Sequence, residues 1–276
     1  MIVPGSSLSG WGLRYKQTMS IFFSFIICVA ATVIGSISGV GGGVIIKPVM
    51  DAVSGMSVSS ISFLSGCTVL GMTTTSMLGN RNGQVKIEKC RGTLLAVGAA
   101  AGGVMGKELF ERAVSAGGPG IHAAQQVLMV VLTVGVLIYT VYNGRIHALK
   151  VENKAVCVLI GLVLGGVSAF LGIGGGPVNL VVLYYFFSMD SKTAALNSLY
   201  IILISQSASL LNTLMSGNVP EFQWSILITM VAGGILGGMI GRRVSKKMDN
   251  RGVDRLFRGL LVVIAGISFY NLWCLV

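Results

Sequence analysis

Apolar residues come in long, unbroken runs, and short intervening stretches hold most of the charges. The runs are continuous rather than alternating, which predicts helices and not strands. The predicted segments are 20–38, 44–55, 57–79, 92–110 and 125–143, followed by 155–171, 177–188, 194–214, 223–241 and 256–276. Most come close to the roughly 20 residues needed to cross about 30 Å of hydrocarbon. In each half a glycine-rich stretch separates the first segment from a short second one. The expected fold is an all-α polytopic membrane protein with about eight full transmembrane helices and a glycine-broken helix or hairpin in each half.

The two halves are weak copies. Gly39-Val40-Gly41-Gly42-Gly43 returns as Gly172-Ile173-Gly174-Gly175-Gly176, shifted by 133 positions, and Met56 and Met189 keep that shift. Gly102-Gly103-Val104-Met105-Gly106-Lys107 matches Gly237-Gly238-Met239-Ile240-Gly241-Arg242 at a shift of 135. A membrane chain with two such halves, each interrupted by glycine, carries the sequence mark of a secondary transporter.

Charge orients the segments. Three loops are basic: 80–91, 144–154 and 242–258, whereas loop 215–222 has no basic residue and contains Glu221. Lysine and arginine concentrate in cytoplasmic loops. Loop 80–91 is the repeat equivalent of 213–222, yet only the first is basic, so equivalent loops lie on opposite sides. The expected organisation is two inverted-topology repeats, 19–143 and 155–276, joined by a cytoplasmic linker, 144–154, with both termini extracytoplasmic. Residues 1–18 differ in character from the rest. Met19 opens the first apolar run and is expected to be the natural start, with 1–18 an upstream extension. A cleaved signal peptide fits poorly, because the run continues into the repeat motif.

Composition agrees with a multi-pass protein of the cell membrane: 53% of residues are hydrophobic and 11% charged, against about a quarter charged in soluble domains. The net charge of +11 reads as topology signal plus attraction to anionic lipid headgroups, not as nucleic-acid binding. The five cysteines are scattered and suggest neither metal site nor redox pair. His122 and His147 fall in loops and few acids fall in spans, so no enzyme, cofactor or metal is expected. The ladders Gly98/Gly102/Gly106 and Gly233/Gly237/Gly241 read as close helix packing, which serves contacts within one chain and within a homo-oligomer equally.

The glycine breaks carry the chemistry. A dinucleotide loop is excluded because Val44 and Pro177 stand where its third glycine belongs and no strand precedes. Adjacent glycines disfavour helix by about 1 kcal/mol each, and Pro48 and Pro177 favour interruption nearby. A helix restarting after a break offers uncommitted N–H groups and a positive dipole end, which attract anions. The candidate substrate-binding residues are therefore Gly39, Gly41, Gly42, Gly43, Lys47 and Pro48 in the first half. In the second they are Gly172, Gly174, Gly175, Gly176, Pro177 and Asn179, the last as a neutral hydrogen-bond donor. Lys47 reads either as an anion ligand or as a lysine snorkelling beside Asp51. Thr74, Asn197 and Gln206 are candidate pathway residues; the two amides are the costlier to bury. Alanine at Gly42 and Gly175 is expected to separate a non-transporting scaffold, which tolerates it, from a carrier, which loses flux.

On Gly39-Val40-Gly41-Gly42-Gly43-Val44-Ile45-Ile46-Lys47-Pro48 and Gly172-Ile173-Gly174-Gly175-Gly176-Pro177, the chain resembles the sulfite exporter TauE/SafE family of membrane permeases over 19–276. The resemblance implies transport of sulfite, thiosulfate or an organosulfonate, with direction left open. The second motif departs from the first in placing Pro177 directly after the glycines. The expected function is a permease that moves such an anion across the bilayer by alternating access. An anion channel of the same architecture is the rival. The scarcity of carboxylates in the spans leaves uniport and proton coupling equally open.

Overall fold

A computed structural model describes residues 8–80, 88–117, 120–142, 149–170 and 175–275. The described residues are helical throughout, without strands, in the order α1 (Leu8–Ser38), α2 (Gly43–Ser54), α3 (Val58–Leu78), α4 (Lys89–Gly117), α5 (Gly120–Tyr142), α6 (Lys154–Phe170), α7 (Gly176–Phe187), α8 (Ser191–Met215), α9 (Trp224–Lys247) and α10 (Asn250–Leu275). Every predicted segment is a helix, and both predicted breaks separate two helices. By length and composition α3, α8 and α9 can cross a membrane, while Phe22–Ser38, Val127–Tyr142, Lys154–Phe170 and Gly176–Phe187 are apolar but shorter. Large apolar side chains such as Phe22, Val131, Ile228 and Val262 are more than half exposed, as suits helices whose outer faces meet lipid rather than water. The protein is a helical membrane protein.

Local structure repeats at the sequence shift. The short helices α2 and α7 are 12 residues each and begin and end 133 positions apart. Each closes on a left-handed residue, Gly55 (φ 61°) and Ser188 (φ 53°). Each is followed by methionine and then by an N-cap, where Ser57 Oγ accepts from Ser60 N and Asp190 Oδ2 from Thr193 N. The same turn chemistry has been used twice to start a long helix. Pro177 lies in the first turn of α7, where a missing N–H costs nothing. Pro48 lies inside α2, so it does not make the first break, as the sequence reading supposed.

Packing repeats as well. α1 lies on α9 and α4 on α6; α3 lies on α9 and α4 on α8; α2 packs on α3 and α7 on α8; α3 meets α8 and α5 meets α10. Exchanging the first five helices for the last five reproduces this set of partners. The largest core gathers Val40 and Val44 of the first half with Leu180, Leu183, Phe257 and Leu261 of the second. The glycine ladders are contact surfaces, as predicted. A Cβ at Gly102 would fall on the carbonyl of Leu162, one at Gly98 on that of Val158 and one at Gly106 on that of Gly166. Gly237 and Gly241 likewise pack against Thr32 and Val33 of α1.

Candidate functional site

The first break is set by backbone chirality. Gly39 (φ 79°) and Gly41 (φ 81°) are left-handed, a conformation open to glycine at little cost, and α1 stops at Ser38. Gly39 N and Gly41 N both donate to Gly35 O, at 3.0 and 3.3 Å. Ser198 of α8 donates its hydroxyl to Gly39 O at 2.6 Å, which ties the break to the other half. α2 then starts on Gly42 and α7 on Gly175, and neither start has a side-chain cap. The two breaks touch: a Cβ on Gly176 would fall on the carbonyl of Val40.

Beside this crossing lies a cavity of about 360 Å³. α2 contributes Gly43, Val44, Lys47, Pro48 and Asp51 to its wall, a spacing that is one face of a helix. Ser168, Gly175 and Asn179 come from the α6–α7 side, Gly103 and Lys107 from α4, and Ser205, Gln206, Ser209 and Thr213 from α8. Its rim is formed by Val58 and Ser59 after the α2–α3 corner and by Asn218 and Pro220 between α8 and α9. A pocket of about 30 Å³ adjoins it, sharing Gly43, Lys47 and Gln206 and adding Gly41 and Ser65.

The wall is electropositive. Lys107 Nζ donates to Thr213 Oγ1 at 2.8 Å, and Lys47 is close enough to Lys107 for the two ammonium charges to repel. Asp51 is exposed. The hydroxyls of Ser168 and Ser65 are buried and have no hydrogen-bond partner among the described residues. Ser168 Oγ borders the start of α7, since a Cβ on Gly175 would sit 3.3 Å from it and 3.1 Å from the Asn179 amide nitrogen. Two ammonium groups, buried donors without acceptors and two uncapped helix starts together suit an anion.

The structure sorts the predicted residues. Gly43, Lys47, Pro48, Gly175, Asn179 and Gln206 meet at the main cavity, and Gly41 at the small one. Gly39, Gly42, Gly176 and Pro177 lie off both cavities. Gly39 abuts Ala195, Gly42 abuts Thr32, and Gly176 abuts Val40. Gly172 and Gly174 lie outside the described residues. Thr74 donates to Leu70 O at 2.7 Å in its own helix and is not on the wall. Asn197 is also off the wall: its amide donates to Thr193 O at 2.8 Å and accepts from Glu88 N at 3.1 Å, fixing the entry to α4. The alanine test at Gly42 and Gly175 does not discriminate as expected. At Gly42 the methyl would meet Thr32 Cγ2 at 2.7 Å, and Gly175 has φ 92°, so folding is disturbed in scaffold and carrier alike.

Sequence reasoning missed Lys107, Ser168 and Thr213. Lys107, close to the end of the predicted segment 92–110, reads from sequence alone as a topology charge. The available signal was that its repeat counterpart, Arg242, is also a cation.

The profile of the sulfite exporter TauE/SafE family matches residues 24–268. A probable membrane transporter protein, YunE, of Bacillus subtilis (strain 168) is 26% identical over 119 residues, covering 43% of this chain and 42% of that protein. A probable membrane transporter protein of Xylella fastidiosa is 28% identical over 116 residues, covering 41% of this chain and 42% of its own. The chain thus spans about two fifths of the length of each of these curated relatives. No solved structure matches it significantly. The profile covers both glycine breaks and nearly every helix that walls the cavity, and on that ground the chain belongs to the sulfite exporter TauE/SafE family.

Proposed function

We propose that this protein is a secondary transporter that carries a small sulfur-containing anion, such as sulfite, thiosulfate or an organosulfonate, across the cell membrane by alternating access. In this reading α1–α5 and α6–α10 are inverted repeats with about eight full spans, the two broken helices meet at the substrate, and both termini are extracytoplasmic. The substrate class follows the family's description; the anion preference follows the cavity wall.

One observation carries the reading: wall residues are open where their repeat counterparts are closed. Lys47, Asp51, Gln206 and Ser209 line the cavity and are partly or fully exposed. Their counterparts at the shift of 133 are Leu180, Tyr184, Thr73 and Ser76, all buried. Ser76 is held by a 2.8 Å hydrogen bond to Ser36. An open mouth in one repeat frame and a sealed one in the other is what a carrier caught in one of two states presents. By the charge pattern, the open mouth is extracytoplasmic.

Proteoliposome counterflow of labelled sulfite, thiosulfate and methanesulfonate tests the function. Saturable exchange of at least one is expected. Unitary currents would transfer the assignment to a channel of the same architecture, and no movement of any of the three would overturn it. Access is checked separately with single cysteines in a background lacking the native ones. Ser209→Cys is expected to react with an impermeant maleimide from the extracytoplasmic side, and Ser76→Cys from the cytoplasmic side alone. Reaction of both from one side would contradict alternation.

A further inference from the structure

Arg242 is a cation the open cavity does not use. It lies near the end of α9, its Nε is buried, and that nitrogen donates to no partner among the described residues. The next residue, Arg243, is exposed, as a charge that only sets topology should be. The Arg242 side chain runs along the end of α3: a Cβ on Gly79 would sit 3.4 Å from Arg242 Cγ. A buried guanidinium N–H with no acceptor is costly and calls for an explanation.

The repeat supplies one. Arg242 is the counterpart of Lys107 at the shift of 135, and Asn80, which follows Gly79, is the counterpart of Thr213 at the shift of 133. α9 packs on α3 as α4 packs on α8. Lys107 of α4 reaches Thr213 near the end of α8 and lines the open mouth. Arg242 of α9 runs past Gly79 at the end of α3, the corresponding place beside the closed one. We propose that Arg242 is the anion-holding cation of the opposite, cytoplasmic mouth, and that it takes over from Lys107 when the carrier turns. The inference rests on the alternating-access reading above.

The chemistry narrows the ligand. A guanidinium is charged at any physiological pH and presents paired N–H donors that match two oxygens of one oxyanion. The cytoplasmic mouth should therefore favour an oxyanion over a halide of equal charge. An anionic lipid headgroup offers the same oxygens, so the two sources must be separated by experiment.

Transport of whichever of sulfite, thiosulfate and methanesulfonate exchanges fastest is measured in right-side-out and inside-out vesicles of cells expressing the full chain. Arg242→Gln is expected to raise KM at the cytoplasmic face by about tenfold, the scale of one lost charge-assisted hydrogen bond, with extracytoplasmic KM within about twofold of wild type. Lys107→Gln should give the reverse pattern and Arg243→Gln neither. If Arg242→Gln fails to insert, Arg242→Lys keeps the charge, loses the fork, and should show the same one-sided rise, smaller in size. Equal shifts at both faces, or none, overturn the assignment while leaving the carrier intact. A one-sided shift that vanishes in proteoliposomes without anionic lipid assigns Arg242 to a headgroup and also overturns it. A wild type that moves none of the three anions, by contrast, removes the carrier reading itself.

Discussion

Lys47→Gln is expected to weaken thiosulfate binding roughly ten- to a hundredfold, because a charge-assisted hydrogen bond is worth about 1.5–3 kcal/mol and each 1.4 kcal/mol is a factor of ten. Lys47 stands one turn into α2, on the wall of both cavities. It is partly buried, with the like charge of Lys107 nearby. Two like charges on one wall favour an anion between them. The stabilisation of the melting temperature in detergent by added thiosulfate is expected to disappear when Lys47 is neutralised. Thiosulfate that protects the variant as well as it protects the wild type would make Lys47 a structural residue. Arg243→Gln serves as control, since Arg243 is an exposed cation off the cavity wall.

Gly102→Ala is expected to destabilise the protein by about 1–3 kcal/mol or more, the usual range for overpacking a close-packed contact. Gly102→Leu is expected to prevent accumulation altogether. The interface between α4 and α6 is built on glycine from both sides. The position of a Cβ at Gly102 is occupied by the Leu162 carbonyl, and those at Gly161 and Gly165 by the carbonyls of Leu95 and Ala99. Backbone cannot rotate away as a side chain can, so any added methyl drives the helices apart along their length. Gly103 is the adjacent contrast: nothing lies within 4 Å of its Cβ position. Gly103→Ala should melt like the wild type while narrowing the cavity that Gly103 lines. Detergent melts of the two variants side by side check this, and equal stability would show that α4 and α6 do not pack as described.

Much of this site was visible in the order of residues. Lys47, Gly43, Gly175 and Asn179 were accessible because a break followed by a short helix puts its first turn, and whatever projects from that turn, at a polar location. Gln206 was found because an amide is expensive to leave in hydrocarbon. The same argument failed for Asn197, which satisfies both ends of its amide on Thr193 and Glu88. Cost of burial says that a partner exists, not whether the partner is ligand or protein. Lys107 was passed over because a cation near a span end reads as topology until the helix opposite it is known.

Chain order alone determined the helices, the two breaks, the caps 133 positions apart and the use of the glycine ladders for contact. These depend on local propensity, backbone chirality and periodicity, which neighbouring residues carry between them. Only the tertiary structure decided that the breaks cross at Val40 and Gly176, and that Ser168 and Lys107 join Lys47 around one cavity. It also decided that the repeat counterparts of exposed wall residues, such as Leu180 for Lys47 and Ser76 for Ser209, are buried. Those facts depend on which helix faces come together across more than a hundred residues of chain, and such distances are set by packing rather than by sequence neighbours.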